Sequence, residues 1–170
     1  MSPRTQSLLK LGTAVVVAVA AVGFVTARFG SFRRTGEEGA LVWFYRESSR
    51  QLYAAPSATI PPERDGVRAV VVCYPGEEKD PSKRQIAYLE TYGPELKALL
   101  ERLQSARSSG HPSQEKVPAR SSEFFRTNDL VKRPGEAQWY SVASAEGRKL
   151  SAEWRSWRGT QGQTPIVCVP

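Results

Sequence analysis

The sequence predicts an α+β fold: an N-terminal transmembrane helix followed by a small domain with a mixed β-sheet and helices packed on one face. Three observations support this prediction. Residues 11–27 form an uncharged apolar run, residues 41–55 and 67–74 are rich in β-branched and aromatic side chains, and residues 94–106 repeat leucine at helical spacing. We therefore divide the chain into an anchor (1–30), a juxtamembrane linker (31–40) and a soluble domain (41–170).

Length and composition restrict the classes of protein to which the chain can belong. Its 170 residues suffice for one ordinary domain and a tail. With 40% hydrophobic and 24% charged residues it is not intrinsically disordered, and two Cys and one His cannot build a disulfide-dense miniprotein or a four-ligand zinc module. Of the net charge of +7, Arg4, Lys10 and Arg28 contribute +3 in residues 1–30, where no acid stands. The remaining excess of basic residues is a weak indication of nucleic-acid binding.

The apolar run is long enough to cross a bilayer. Its 17 residues span about 26 Å as a helix, and Leu8, Leu9 and Phe29 extend the segment while Lys10 and Arg28 reach the headgroups. We predict one transmembrane helix at residues 8–29, so that the lipid bilayer is the first predicted partner. A cleavable signal peptide is the alternative, because Val25-Thr26-Ala27 resembles a cleavage site.

The orientation of the helix is predicted from its position in the chain. Both flanks of the helix are basic, with Arg4 and Lys10 before it and Arg28, Arg33 and Arg34 after it, so the positive-inside rule does not decide. We favour the usual arrangement of an N-terminal signal-anchor, with the soluble domain outside the cytoplasm.

The first half of the domain is predicted to form strands and then helices. Residues 41–46 and 51–55 are β-prone on either side of a polar turn and predict a hairpin, and the nearly continuous apolar run 67–74 predicts a central strand. Asp80-Pro81 resembles a helix start, and Ile86, Leu89 and Tyr92 follow at helical spacing, which predicts a helix over 82–92. A second helix is predicted from Pro94 to about Ala106.

The second half begins with a segment rich in Ser, Gly and Pro. Residues 105–122 lack apolar periodicity and predict a mobile loop. Further elements are predicted as a strand within 124–132, an extended piece at 138–142, a helix from Ser144 to about Trp157 and a last strand at 164–169. This order of elements is typical of an α+β domain.

Several of these segments resemble a known family. VWFY, LYAAPSATIPP, GVRAVVVC, IAYLETYGPELKALLE, LVKRPGEAQWYSVASAEGRKL and the terminal CVP are similar to small bacterial single-pass membrane-anchored proteins of unknown function. The resemblance covers residues 41–170 and implies an anchor and a domain, but no chemistry. Members of that family often carry a second Cys shortly after the strand that ends here at Cys73. Tyr74-Pro75-Gly76-Glu77 follow instead, which disfavours a two-Cys metal or redox site.

Cys73 and Cys168 are the candidate disulfide. Cys73 ends the predicted central strand and Cys168 lies in the last one, so the two sulfurs meet if these strands are neighbours, and outside the cytoplasm they would oxidise. The alternative is two independent buried thiols that act as small hydrophobic residues. No C-x-x-C motif indicates a redox centre.

Candidates for catalysis are few. His111 stands in the Ser/Gly/Pro segment, without a G-x-S-x-G motif elsewhere, and is interpreted as a solvated loop histidine. Glu77, Glu78 and Asp80 could serve acid–base chemistry or bind a cation, but Lys79 and Lys83 beside them favour a solvated helix start. We predict no cofactor, no metal and no catalytic residue.

Two further groups are candidates for binding. Trp43-Phe44-Tyr45 and Trp139-Tyr140 could stack on a peptide or glycan, or could form the core. Basic residues concentrate in the C-terminal third, where the candidate binding surface is Arg148, Arg155 and Arg158, with Arg126, Lys132, Arg133 and Lys149 nearby. Such a surface could contact nucleic acid, anionic lipid or an envelope polymer, or could be an ordinary solvated helix face.

The predicted function is a single-pass membrane protein that presents a small non-catalytic interaction or structural domain, with a protein or an anionic envelope polymer as possible partner. The alternatives are a membrane-tethered hydrolase or redox protein, which would need Cys73, His111 or the acids at 77–80 in one pocket, and binding of nucleic acid through the basic C-terminal third.

Overall fold

The computed structural model describes residues 39–110 and 115–170. The predicted anchor at 8–29, most of the linker and His111 lie outside the described residues. A compact unit begins at Leu41 and extends to Pro170.

Seven strands form one sheet in the described residues. They are β1 (Leu41–Arg46), β2 (Gln51–Pro56), β3 (Gly66–Cys73), β4 (Gln85–Tyr92), β5 (Asp129–Lys132), β6 (Tyr140–Ser141) and β7 (Ile166–Val167). Neighbours follow the order β2-β1-β3-β4-β5-β6, and β7 pairs with the last two residues of β3. Every pairing is antiparallel. The fold is α+β, as predicted, but the prediction of a mixed sheet is wrong.

The connection between β4 and β5 explains why these strands are antiparallel. Helix α1 (Pro94–Ser108) starts directly after β4, and helix α2 (Glu123–Asn128) directly precedes β5. The two helices contact each other, and the Gly93 N–H donates to the Asn128 carbonyl at 2.7 Å. The chain thus returns to the end of the sheet that it left, so β5 must run antiparallel to β4.

The N-terminal hairpin and the central strand agree with the sequence prediction. β1 and β2 pair along their whole length, from Leu41 opposite Pro56 to Arg46 opposite Gln51. β3 lies between β1 and β4 and is buried along almost its entire length, because both faces of the sheet are covered there.

The predicted helix over 82–92 is wrong. Asp80 does cap a helical turn, since its carboxylate accepts from the Ser82 N–H at 2.9 Å, but that 3₁₀ turn ends at Lys83 and strand β4 follows. Ile86, Leu89 and Tyr92 satisfy a helical period, yet the segment QIAYLETY is also rich in β-branched and aromatic residues. The open edge of β3 decides between these alternatives, because β4 supplies its backbone hydrogen bonds.

The strand predicted within 124–132 is present, and the residues before it, Phe124 to Asn128, form most of α2. The Ser122 hydroxyl accepts from the Phe125 N–H at 3.2 Å and caps the helix, and the strand is confined to Asp129–Lys132. α1 extends to Ser108, so the first residues of the predicted loop 105–122 are helical. Whether the rest of that loop is mobile stays a prediction.

The last predicted helix is present as α3 (Ala145–Glu153), followed by a 3₁₀ turn at Trp154–Ser156. Ser144 caps it, as predicted, by accepting from the Gly147 N–H at 2.9 Å. Leu150 and Trp154 are buried and Trp157 is partly buried, so these three side chains form the inward face of this segment.

Two apolar clusters make the core. The first joins Val70, Tyr88 and Val131 of the sheet to Leu150 of α3 and to Trp154. The second contains sheet residues, such as Val71 and Leu89, together with both cysteines, and no helical residue belongs to it. Partly buried side chains border the second cluster: Trp43, Tyr45, Leu52, Ile86 and Trp139. We call this side of the sheet the aromatic face.

Candidate functional site

Cys73 and Cys168 form a disulfide bond. Cys73 is the last residue of β3, and Cys168 follows β7, whose register aligns Ile166 with Cys73. The Cα atoms are 6.0 Å apart, within the usual range for a disulfide, and the Cys168 N–H donates to the Val71 carbonyl at 2.8 Å. Both residues are buried, so the bond fastens the C-terminus of the chain to the centre of the sheet.

Exposed apolar side chains gather where β3 ends. β1 begins and β7 begins at the same end of the sheet, which we call the Cys73 end. Ile166 pairs with Cys73 and Val167 with Val72, and Leu41 is the first residue of β1, which runs antiparallel to β3. Six large apolar side chains are exposed in the described residues, and four of them belong to this end: Leu41, Ile166, Val167 and Val169.

The loop after α3 carries basic and aromatic side chains to the same end. Gly159 lies against the ring of Tyr74, since a Cβ on Gly159 would be 3.0 Å from Tyr74 Cδ1. The loop 157–163 therefore packs beside the residue that follows Cys73. Arg158 is exposed, with Nη1 donating to the Arg155 and Trp157 carbonyls at 3.0 and 2.7 Å. Within the described part of the chain it has no carboxylate partner.

The three residues of the predicted basic surface are exposed but are divided between two places. Arg148 and Arg155 stand seven residues apart on α3 and the turn after it, and both are exposed. Arg148 Nη1 donates to the Ala143 carbonyl, and the Arg155 guanidinium lies over the Trp154 ring at 4.8 Å. Arg158 lies beyond the turn, in the loop that reaches the Cys73 end. The three side chains are exposed cations held by backbone carbonyls or an aromatic ring.

Two other basic residues of the C-terminal third are committed to internal ion pairs. Lys132 is buried, with Nζ 2.7 Å from Glu47 and 4.6 Å from the centre of the Trp139 ring. Arg133 binds Glu153 with both Nε and Nη2, at 2.9 and 2.7 Å, and also contacts Glu136 at 3.3 Å. Because their charge is neutralised within the fold, they add little to any surface that attracts an anionic partner.

The aromatic groups separate to different environments. Phe44 is fully buried beside Tyr53, whereas Trp43, Tyr45 and Trp139 border the aromatic face. One ring face of Trp43 is covered by the Arg84 guanidinium at 4.9 Å, and one of Trp139 by the Lys132 ammonium. These stacked cations reduce the indole surface that a peptide or glycan could use.

Two of the acidic residues at 77–80 accept local hydrogen bonds. Asp80 is engaged as the cap of the 3₁₀ turn, and its hydrogen bonds from Ser82 hold the pKa of its carboxyl below the ordinary value. Backbone hydrogen bonds likewise lower the pKa of Glu78. Cys73 has no free thiol, because it is bonded to Cys168, and His111 lies outside the described residues.

A polar row across β3, β4 and β5 was not predicted. Arg68 stands opposite Glu90, and Asp129 stands opposite Tyr92 on the next pair of strands. Arg68 donates to the Ser57 and Thr59 carbonyls at 3.1 and 3.3 Å and to the Tyr92 hydroxyl at 3.4 Å. Its buried Nε has no hydrogen-bond partner in the described structure, and no ion pair joins it to either carboxylate.

Burial dominates the electrostatics of this row. It raises the pKa of Asp129 to about 7, with the Glu90 carboxylate acting in the same direction and Arg120 and Arg68 opposing it. Burial and Glu90 also raise the pKa of Tyr88. Asp129 can therefore take up or release a proton near neutral pH. Sequence offered no signal for this row, because its members are far apart in the chain and one strand was assigned to a helix.

Comparison with known proteins adds no ligand or reaction. In the residues that the structure describes, no helix is long and apolar enough to span a bilayer, and no group of three metal-ligating side chains occurs. No family model, curated protein or solved structure matches the chain. The family resemblance seen in the sequence stays a prediction.

Proposed function

We propose that this is a single-pass membrane protein whose domain, residues 41–170, lies outside the cytoplasm and has a non-catalytic interaction or structural role. The observation that carries the proposal is the disulfide between Cys73 and Cys168. Disulfides form and persist in oxidising compartments and are rare in the cytosol.

The sequence supports the membrane part of this proposal. Residues 8–29 are apolar over a length suited to a hydrocarbon core, and basic residues stand on both sides of them. An anchor with its N-terminus inside would deliver the following domain to the compartment in which the disulfide can form.

The environment of the reactive groups supports a role without catalysis. The Cys73 sulfur is bonded to Cys168, and the Asp80 carboxylate accepts hydrogen bonds from Ser82. By contrast, the exposed apolar and basic side chains at the Cys73 end offer contact surface to a partner.

The test combines topology and thiol chemistry in membranes of the native host. A reporter that is active only outside the cytoplasm, fused after Pro170, should be active, and a reporter that is active only inside should be silent. Without reductant, a thiol-alkylating reagent should add no mass to the denatured protein, and after reduction it should add two labels. A Cys168→Ala variant is the control and should take one label without reduction. Two labels before reduction, or a reporter active only in the cytoplasm, would contradict the proposal.

A further inference from the structure

We propose that the Cys73 end of the domain rests on the surface of the bilayer that holds the anchor, with its apolar side chains among the headgroups and Arg158 on anionic lipid phosphates. This inference rests on the proposed function, since it needs residues 8–29 to span the membrane. It commits the exposed patch to one partner, an anionic lipid surface.

The first argument is the clustering of exposed apolar side chains. Leu41 on β1 and the C-terminal residues Ile166, Val167 and Val169 lie at one end of the sheet, whereas the exposed residue Phe124 lies on α2. α2 is at the opposite end, where β4 ends and β5 begins. Because these valines and isoleucine flank the disulfide, their exposure is fixed by the fold and is not that of a loose tail. Such a patch marks a contact surface on a soluble domain.

The second argument is the length of the tether. The linker 31–40 joins the predicted membrane helix to Leu41, the first residue of β1. Ten residues span at most about 35 Å when fully extended and about 16–19 Å as a flexible chain. The Cys73 end is the end at which the chain enters the domain, so it is the part of the sheet to which the tether is joined.

The third argument is the chemistry around the patch. Arg158 is exposed at this end, and Tyr74 and Trp157 have the amphipathic character of side chains that prefer the boundary between lipid and water. Arg33 and Arg34 stand in the linker itself. Basic side chains close to an anionic leaflet are attracted to it within the Debye length. Apolar contacts and arginine thus act together at one place.

The experiment uses photocrosslinking of the full chain in vesicles. The residue p-benzoylphenylalanine is placed at Ile166 or, as a matched control, at Phe124, because both native side chains are 39% exposed and lie at opposite ends of the sheet. Vesicles contain either one-third phosphatidylglycerol in phosphatidylcholine or phosphatidylcholine alone. After irradiation, mass spectrometry identifies what is attached to each site. A lipid adduct should dominate at position 166 and be scarce at position 124.

A charge variant tests the role of arginine. Arg158→Gln should lower the yield of lipid adduct at position 166 by about fivefold in the anionic vesicles and have little effect in the neutral ones. Arg126→Gln, which removes an exposed cation on α2, is the matched control and should leave the yield unchanged. If Ile166→p-benzoylphenylalanine prevents the disulfide from forming, the same comparison is made at Val169, the most exposed apolar side chain of the patch.

The outcomes distinguish this inference from the proposed function. If the protein stays with the vesicles after alkaline extraction but positions 166 and 124 give equal lipid adducts, the anchor stands and the inference is wrong. A crosslink between two copies of the chain at position 166, in place of lipid, also overturns it and shows a protein interface instead. If alkaline extraction releases the protein, the anchor is absent and both proposals fail.

Discussion

Asp129 shows how a single residue acquires properties that its place in the sequence does not indicate. It begins β5 beside Tyr92, and Glu90 lies on the neighbouring strand two residue pairs away. Burial, with the repulsion of Glu90, raises the pKa of its carboxyl to about 7. The folded state therefore holds the proton more tightly than the unfolded chain, whose carboxyl titrates near the ordinary value of about 4.

This difference predicts a pH dependence of stability. The contribution of Asp129 to the free energy of unfolding is fully present below about pH 4. It is lost as the pH rises through about 7, because the native state must then bury a charged carboxylate. Asp129→Asn should remove this loss, so that the variant gains stability relative to the native protein at pH 8 and not at pH 4. Urea unfolding of the full chain in detergent, followed by tryptophan fluorescence, measures the free energy at each pH.

A carboxyl with the opposite shift provides the control. Asp65 accepts a hydrogen bond from Ser48 and lies 3.4 Å from Arg46, and the hydrogen bond is the main cause of its lowered pKa. Its contribution is present above the ordinary pKa of an aspartate and is lost as the pH falls through the lower, native value. Asp65→Asn should therefore reduce stability at pH 7 and not at very low pH. If both variants shift stability in the same direction at pH 8, the assignment for Asp129 is wrong.

At the scale of the element, the wrong assignment of residues 85–92 has a physical cause. These residues satisfy helical and strand periods at once, and the unpaired edge of β3 selects the strand. Local preference was too weak there to outweigh tertiary pairing. Within residues 124–132 the predicted strand is present at Asp129–Lys132, and the Ser122 cap starts the helix that precedes it.

The placement of α3 depends on a glycine. A Cβ on Gly147 would overlap the Ser141 carbonyl of β6, a backbone atom that cannot rotate away. Although alanine is the better helix former, Gly147→Ala should therefore destabilise the domain, by about 1–3 kcal/mol, as overpacking does elsewhere. Urea unfolding measures the change. Lys149→Ala on the exposed side of α3 is the control, with an expected change within about 0.5 kcal/mol. A Gly147→Ala protein as stable as the native one would show that α3 does not pack closely on β6.

On the scale of the whole molecule, the disulfide joins the central strand to the last residues of the chain. Because the two cysteines are 95 residues apart, the bond restricts most of the unfolded domain. The chain-entropy model gives about 4–5 kcal/mol for a loop of this size. This is a large share of the total stability of an ordinary domain, which is about 5–15 kcal/mol.

Removal of the bond should consequently bring the domain close to unfolding. A variant with Cys73→Ala and Cys168→Ala should lose about 4–5 kcal/mol of unfolding free energy. Reduction of the native protein by a dithiol serves as the comparison, since it breaks the same bond without removing atoms from the core. Urea titrations of both should show similar shifts. A change below about 1 kcal/mol in both would mean that the unfolded chain is already compact or that the native bond is strained.

The candidate site was only partly accessible from sequence. Cys73 and Cys168 were recognised as a pair because each sits in or beside a predicted strand, but adjacency of those strands was required to join them. The basic residues were identified by composition, yet Lys132 and Arg133 turned out to be paired with Glu47 and Glu153 inside the fold. The row of Arg68, Glu90 and Asp129 depends on the register of three strands, which no local pattern encodes.

The sequence by itself determined the α+β class, the hairpin, the central strand and the capped helix α3, because strong local patterns and caps specify these elements before any long-range contact forms. Only the tertiary structure decided that the sheet is wholly antiparallel, that residues 85–92 are a strand and that the two cysteines meet. It also decided which charges are buried and which apolar residues remain at the Cys73 end. The physical reason is that strand partners, burial and ion pairs depend on residues far apart in the chain, whose proximity is a property of the completed sheet.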